Sequence, residues 1–139
     1  MVTHNAEETI EFGQKYTERL KGGEIIGLIG ELGSGKTTFI KGLAEGLRVD
    51  NTITSPTFVI LKSYPGRIGV KKIEFIHIDA YRIESIEDMK SVGIEDYLGR
   101  EDIIVAVEWA EKIREILPKN TIYIKFNHLN ENVREIILR

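Results

Sequence analysis

The sequence predicts a single α/β domain over residues 1–139, with a mixed, mainly parallel central sheet flanked by helices and an antiparallel C-terminal hairpin. Three observations carry that expectation. A glycine-rich loop at residues 30–38 stands between an apolar run, Ile25-Ile26-Gly27-Leu28-Ile29, and a segment with helical apolar spacing at Phe39, Ile40, Leu43, Ala44 and Leu47. Two later apolar runs, residues 73–79 and 103–108, each end in a carboxylate, and the second is apolar throughout, as a strand buried on both faces should be. Finally, residues 121–126 alternate apolar and polar side chains, residues 127–132 turn, and residues 133–138 return as a last strand.

The loop reads Gly30-Glu31-Leu32-Gly33-Ser34-Gly35-Lys36-Thr37-Thr38, a full match to G-x-x-x-x-G-K-[ST]. Its glycines let the backbone curl so that successive N–H groups face inward, a cradle for phosphate oxygens. The helix that follows adds unpaired amides and the positive end of its dipole. Lys36 is expected to reach the β- and γ-phosphates, and the Thr37 hydroxyl to ligate Mg²⁺. A strand before the loop and a helix after it are the context this motif requires, so the domain reads as a P-loop NTPase.

Composition bounds the rest. One domain of 139 residues at 42% hydrophobic content has room for one core and little for a separate substrate domain. The absence of cysteine removes disulfides, thiolate metal sites and cysteine nucleophiles together. A net charge of −3 offers no global basic field, so direct high-affinity binding to nucleic acid is not expected. Residues 1–20 are polar and acidic, unlike a signal peptide, and no window approaches a membrane span; a cytoplasmic protein is the expectation.

In chain order, Asn5-Ala6-Glu7-Glu8 has the form of a helix N-cap, and Gly22-Gly23 of a stop, which predicts a helix over residues 6–20 that covers the sheet or the edge of the pocket. After the loop helix, Ser55-Pro56-Thr57 excludes a helix, and Ser55 and Thr57 are candidate γ-phosphate sensors, although such a segment is also a common turn. A strand is predicted over residues 58–64, a turn at Pro65-Gly66 and a returning strand over residues 70–78. Asp79 closes that strand where a P-loop enzyme holds its metal; His77, on the same face, is read as a core or supporting residue, and Arg82 as a phosphate contact or a surface ion pair. Residues 84–102 are rich in acid and read as two short helices. They are either a solvated cover or a docking surface for a basic partner, with Met89, Ile94 and Leu98 interleaved. Glu108 arrives at the same sheet edge as Asp79, where a carboxylate can orient the attacking water or complete the metal's ligands; Trp109 is placed near the nucleotide as a packing residue.

Taken in order and spacing, the glycine loop, Ser55-Pro56-Thr57-Phe58, His77-Ile78-Asp79-Ala80-Tyr81-Arg82, Gly93-Ile94-Glu95-Asp96-Tyr97 and Val107-Glu108-Trp109 resemble the TsaE family over nearly the whole chain. That is the small bacterial ATPase needed to make threonylcarbamoyladenosine beside the anticodon of certain tRNAs. The resemblance implies ATP and Mg²⁺ as cofactors and slow hydrolysis. It also implies work with the two sugar-kinase-fold proteins of the tRNA threonylcarbamoyl transfer complex, and no direct high-affinity tRNA binding is expected. By position it implies that Gly33, Ser34, Gly35, Lys36, Thr37 and Thr38 hold phosphates, that Thr37 and Glu108 attend the metal, and that Asp79 is catalytic or metal-linked. The family's last hairpin often carries a Gly-Arg pair; here Val133 precedes Arg134, so no nucleotide contact is carried over to Arg134. The alternative from the residues alone is a small-molecule P-loop kinase, but neither an acceptor pocket nor an arginine-bearing lid is legible. A GTPase lacks support, since Asp79-Ala80-Tyr81-Arg82 has no glycine at its fourth position and no Asn-Lys-x-Asp occurs.

Overall fold

The computed structural model describes residues 1–51, 53 and 61–138. Among the described residues, seven strands form one sheet: β1 (Val2–Thr3), β2 (Ile25–Ile29), β3 (Leu61–Ile68), β4 (Lys71–Asp79), β5 (Ile103–Glu108), β6 (Ile122–His128) and β7 (Arg134–Leu138). Their spatial order is β1-β7-β6-β2-β5-β4-β3. The central pairings β6–β2, β2–β5 and β5–β4 are parallel, whereas β1–β7, β7–β6 and β4–β3 are antiparallel. After β2 the chain crosses to the far edge at β3 and works back inward through β4 to β5, which lies beside β2; it then lays β6 on the other side of β2. Strand order therefore reverses at β2, and open α/β sheets place their ligands outside the C-terminal strand ends at such a reversal.

Helices cover both faces. Helices α1 (Ala6–Tyr16) and α2 (Lys36–Gly46) lie on one, where Phe39, Ile40 and Leu43 pack against Leu28, Phe75, Ile104 and Phe126. On the other lie α3 (Ile86–Ser91) and 3₁₀ turns at Ile94–Asp96 and Ala110–Ile116, packed on Ile76, Ile78, Val105 and Val107. Alternation along each strand sorts these side chains, odd positions of β4 and even positions of β5 facing the α1–α2 layer. Helix α1 starts at Asn5, whose side chain accepts the Glu8 N–H at 2.8 Å, and a 3₁₀ turn at Thr17–Arg19 completes the expected helix.

One sequence expectation changes. The hairpin turn falls at Gly69-Val70, not at Pro65-Gly66, since Ile68 pairs with Lys71 and Gly69 takes φ +60°. Pro65 is tolerated inside β3 because β3 is an edge strand, and Gly66 sits where a Cβ would come within 2.8 Å of the Leu47 carbonyl. The strand's expected first residues, 58–60, lie outside the described residues, as do Ser55 and Thr57. In the acidic stretch, Met89 and Ile94 are fully buried against the sheet and anchor it from within. Finally, β1 and the 3₁₀ segment at Ala110–Ile116 were not legible as elements.

Candidate functional site

The site forms where β2 gives way to the glycine loop. Gly33 and Gly35 take φ +75° and +106°, left-handed conformations that open to glycine at little cost. A Cβ at Gly30 would lie 2.6 Å from the Phe126 carbonyl and 2.7 Å from Ser34 Oγ, so the loop is curled tightly against β6. Lys36, the first residue of α2, is only 4% exposed. Its ammonium donates to the Gly30 carbonyl and, at 2.9 Å, to the Glu31 carbonyl, with Ser34 Oγ at 3.5 Å. The indole of Trp109 lies 4.2 Å away, measured to the ring centre. Burial pushes the Lys36 pKa down, and the carboxylates of Glu108, Glu111, Asp79 and Glu31 work against that shift.

Alternation delivers the acidic groups to the same place. Glu108 ends β5 on the α2 face, and Thr37 Oγ1 donates to its Oε1 at 2.9 Å. The second oxygen, Oε2, lies 2.7 Å from Nε2 of the fully buried His77. Asp79 stands opposite Glu108 in the β4–β5 register, and its Oδ1 accepts the Tyr81 N–H at 3.0 Å. Burial raises the Asp79 pKa above the usual carboxylate range; the Tyr81 N–H opposes that shift and the Glu108 charge reinforces it. Trp109 turns the chain out of β5 with φ +61°, uncommon for a residue with a side chain, and its ring packs at a tilt against that of Tyr81, centres 5.1 Å apart.

Gly33, Ser34, Gly35, Lys36, Thr37, Thr38, Glu108 and Trp109 thus line one cleft of about 410 Å³. Asp79 is one strand further on, beside the cleft and not in its lining. The start of α1 contributes Asn5, Ala6 and Thr9 to the opposite wall, at the pocket edge that was one of the two places expected for that helix; the β6–β7 turn, not anticipated there, contributes Glu131, Asn132 and Arg134. The capping signature located the start of α1, but only the β1–β7 pairing carries that start to the loop. Arg134 lies against Gly35, its Nη1 donating to the carbonyls of Asn130, Glu131 and Val133 at 3.0–3.2 Å.

The residues present fit a magnesium nucleotide. The curled loop and the first turn of α2 supply amides and a buried ammonium for phosphate oxygens. Thr37 Oγ1 and the Glu108 carboxylate are hard oxygen donors, which Mg²⁺ takes one or two at a time beside phosphate.

Known proteins match this chain along its length. Curated relatives named "tRNA threonylcarbamoyladenosine biosynthesis protein TsaE" include one from Treponema pallidum, 36% identical over 97% of this chain and 96% of that protein. Others come from Bacillus subtilis, 36% identical over 96% of this chain and 80% of that protein, and Aquifex aeolicus, 33% identical over 98% and 92%. The crystal structure of YdiB from Bacillus subtilis superposes with a TM-score of 0.77 at 33% identity, covering 99% of this chain and 82% of that one. The family model "Threonylcarbamoyl adenosine biosynthesis protein TsaE" matches residues 3–136, and the chain belongs to the TsaE family.

Proposed function

We propose that this chain binds ATP with Mg²⁺ and hydrolyses it slowly, in the biosynthesis of threonylcarbamoyladenosine on tRNA beside the anticodon. In this reading the two sugar-kinase-fold proteins of the tRNA threonylcarbamoyl transfer complex raise its turnover. The observation that carries the reading is the bond from Thr37 Oγ1 to Glu108 Oε1, 2.9 Å, at the floor of the glycine-loop cleft. It joins the helix that cradles phosphates to the strand end that carries the acidic chemistry. When bound, Mg²⁺ would offset charge on the phosphates of the nucleotide.

The chain's own groups then divide the work. Loop amides of residues 33–38 and the Lys36 ammonium hold the phosphates. Thr37, Asp79 and Glu108 attend the metal. Asp79 and Glu108 are the catalytic carboxylates, and Glu108, at the floor of the cleft, aligns the attacking water. Trp109 covers the phosphate side. The slow rate follows from the cations. Lys36 is turned on the phosphate cradle, whereas Arg134 in the wall spends Nη1 on hairpin carbonyls. A second cation on the transferring phosphoryl group is worth roughly 10³–10⁵-fold in rate in P-loop enzymes, and a partner can supply or order it.

The test is phosphate release from ATP and from GTP, with and without the partner complex, at two salt concentrations. Slow release from ATP, accelerated by the partners, is the expected result. Fast turnover by the isolated chain that partners leave unchanged would contradict the reading, as would transfer of the phosphate to a small-molecule acceptor.

A further inference from the structure

We infer that His77 is a positioning residue that fixes the orientation of the Glu108 carboxylate through its Nε2–H, an inference whose catalytic consequence rests on the ATPase reading above. Glu108 is held at both oxygens, by Thr37 Oγ1 at 2.9 Å on Oε1 and by His77 Nε2 at 2.7 Å on Oε2. Two donors on opposite oxygens set both the position and the plane of the carboxylate. Each donor comes from a different element, α2 for Thr37 and β4 for His77, so the carboxylate is triangulated against the sheet and the loop helix.

The backbone register explains how the ring reaches. His77 pairs with Ala106, and Glu108 follows two residues later on the same face of β5. The small Ala106 side chain leaves room for the imidazole to lean along β5 toward Glu108, and both His77 and Ala106 are wholly buried. A carboxylate only accepts, so the proton between the two groups belongs to Nε2. Nδ1 has no partner among the described residues, so the tautomer protonated on Nε2 is the one the site accommodates.

That orphaned nitrogen also weighs against a merely space-filling role. An unpaired polar atom in an interior costs stability, and an aliphatic side chain would fill the same slot without it. The imidazole's one polar contact among the described residues is Glu108. The contact gains importance once nucleotide is loaded. The Thr37 hydroxyl that now holds Oε1 is the group assigned to the metal, and when it turns to that ligand His77 is the described donor left on the carboxylate.

The experiment has two arms. In the first, ¹⁵N-labelled, ligand-free protein is studied by NMR. The chain has 3 histidines, so a His4→Gln, His128→Gln background leaves His77 alone. The expected signal is a slowly exchanging Nε2–H whose shift moves in Glu108→Ala. A ring protonated on Nδ1, or a signal indifferent to Glu108→Ala, would overturn the inference.

In the second arm, ATP turnover is compared in the parent, His77→Leu and His77→Gln, the amide of glutamine being able to restore a donor where Nε2 stood. Loss of a hydrogen bond that orients a reacting or ligating group costs about 10–100-fold. That loss is expected in kcat for His77→Leu, with KM within about threefold of the parent, and His77→Gln is expected to recover most of it. A leucine variant with the parent's kcat would overturn the inference, as would a glutamine variant no better than leucine. If leucine fails to fold, the ring-proton arm and the glutamine variant decide. A parent that releases no phosphate would sink the ATPase reading, while the ring-proton arm would still decide whether His77 holds Glu108.

Discussion

Glu108 shows what a single side chain can contribute here. It is 4% exposed, held by a hydroxyl and an imidazole, and it faces the loop that carries Lys36. Replacing one carboxylate oxygen by an amide removes its capacity to take a proton while keeping its volume. Glu108→Gln is therefore expected to bind ATP within a few-fold of the parent and to lose turnover by about 10²–10⁴-fold, the usual worth of a positioned acid–base group. Calorimetry and phosphate release on the same preparation separate the two effects; turnover at the parent rate would return Glu108 to a packing role. Trp109 provides a second residue-scale check. It is the chain's 1 tryptophan, 4.2 Å from the Lys36 ammonium, so ADP with Mg²⁺ should change its emission. Unchanged fluorescence at saturation would place the nucleotide elsewhere.

Asp79 gives a pH-dependent expectation. Burial, with the Glu108 charge adding to it, raises its folded pKa above the unfolded value, so the folded chain binds the proton more tightly. The stability this carboxyl contributes is full below the ordinary aspartate range and is lost as pH rises through the raised folded value. Asp79→Asn keeps the oxygen that accepts the Tyr81 N–H and carries no charge at any pH. In the ligand-free protein it should melt above the parent at neutral pH, and the advantage should vanish as pH falls into the ordinary aspartate range. A lower melting temperature than the parent at neutral pH would contradict this account. The residue types of the site were legible because a motif of fixed spacing carries them. The His77–Glu108 contact and the positive φ of Trp109 were not, since the first joins residues 31 apart and the second is set by the turn out of β5.

Between elements, α1 and α2 approach closely. A Cβ on Gly42 would lie 2.2 Å from the Ile10 carbonyl, and one on Gly13 would lie 2.5 Å from the Phe39 carbonyl. The two helices cross backbone to backbone, so α1 lies directly on the helix that leaves the glycine loop. Gly42→Ala gains helix propensity but forces the helices apart, and overpacking of this kind costs about 1–3 kcal/mol. Urea unfolding should show a lower midpoint with an unchanged slope; a stabilised variant would mean that the helices separate freely. Helices and buried strands were legible from their periodicity. The β3–β4 turn was misplaced because Pro-Gly is a strong local turn signal, and the sequence around Pro65 does not reveal that its strand lies at an edge with Leu47 crossing it. Met89 and Ile94 were legible as apolar anchors, but their helices are too short to show a periodic face that would say which way they point.

Across the whole molecule, the sheet gathers distant parts of the chain at one edge. The cleft takes its floor from the loop, α2 and β5, and its far wall from α1 and the β6–β7 turn. The N-terminal ammonium itself donates to the Ile136 carbonyl at 3.0 Å, tying the first strand to the last. Such closure depends on sheet order, which local patterns do not encode, and it explains why the part of the wall that the β6–β7 turn supplies was unreadable in advance. It also makes the phosphate cradle a property of the folded domain, with Lys36 at its centre. Calorimetric titration of ATP with Mg²⁺ into the parent and into Lys36→Ala tests that claim most directly. Hydrogen bonds to charged groups are worth about 1.5–3 kcal/mol, so the variant should bind roughly 10- to 100-fold more weakly while melting as the parent does. Equal affinity in the two proteins would contradict the account.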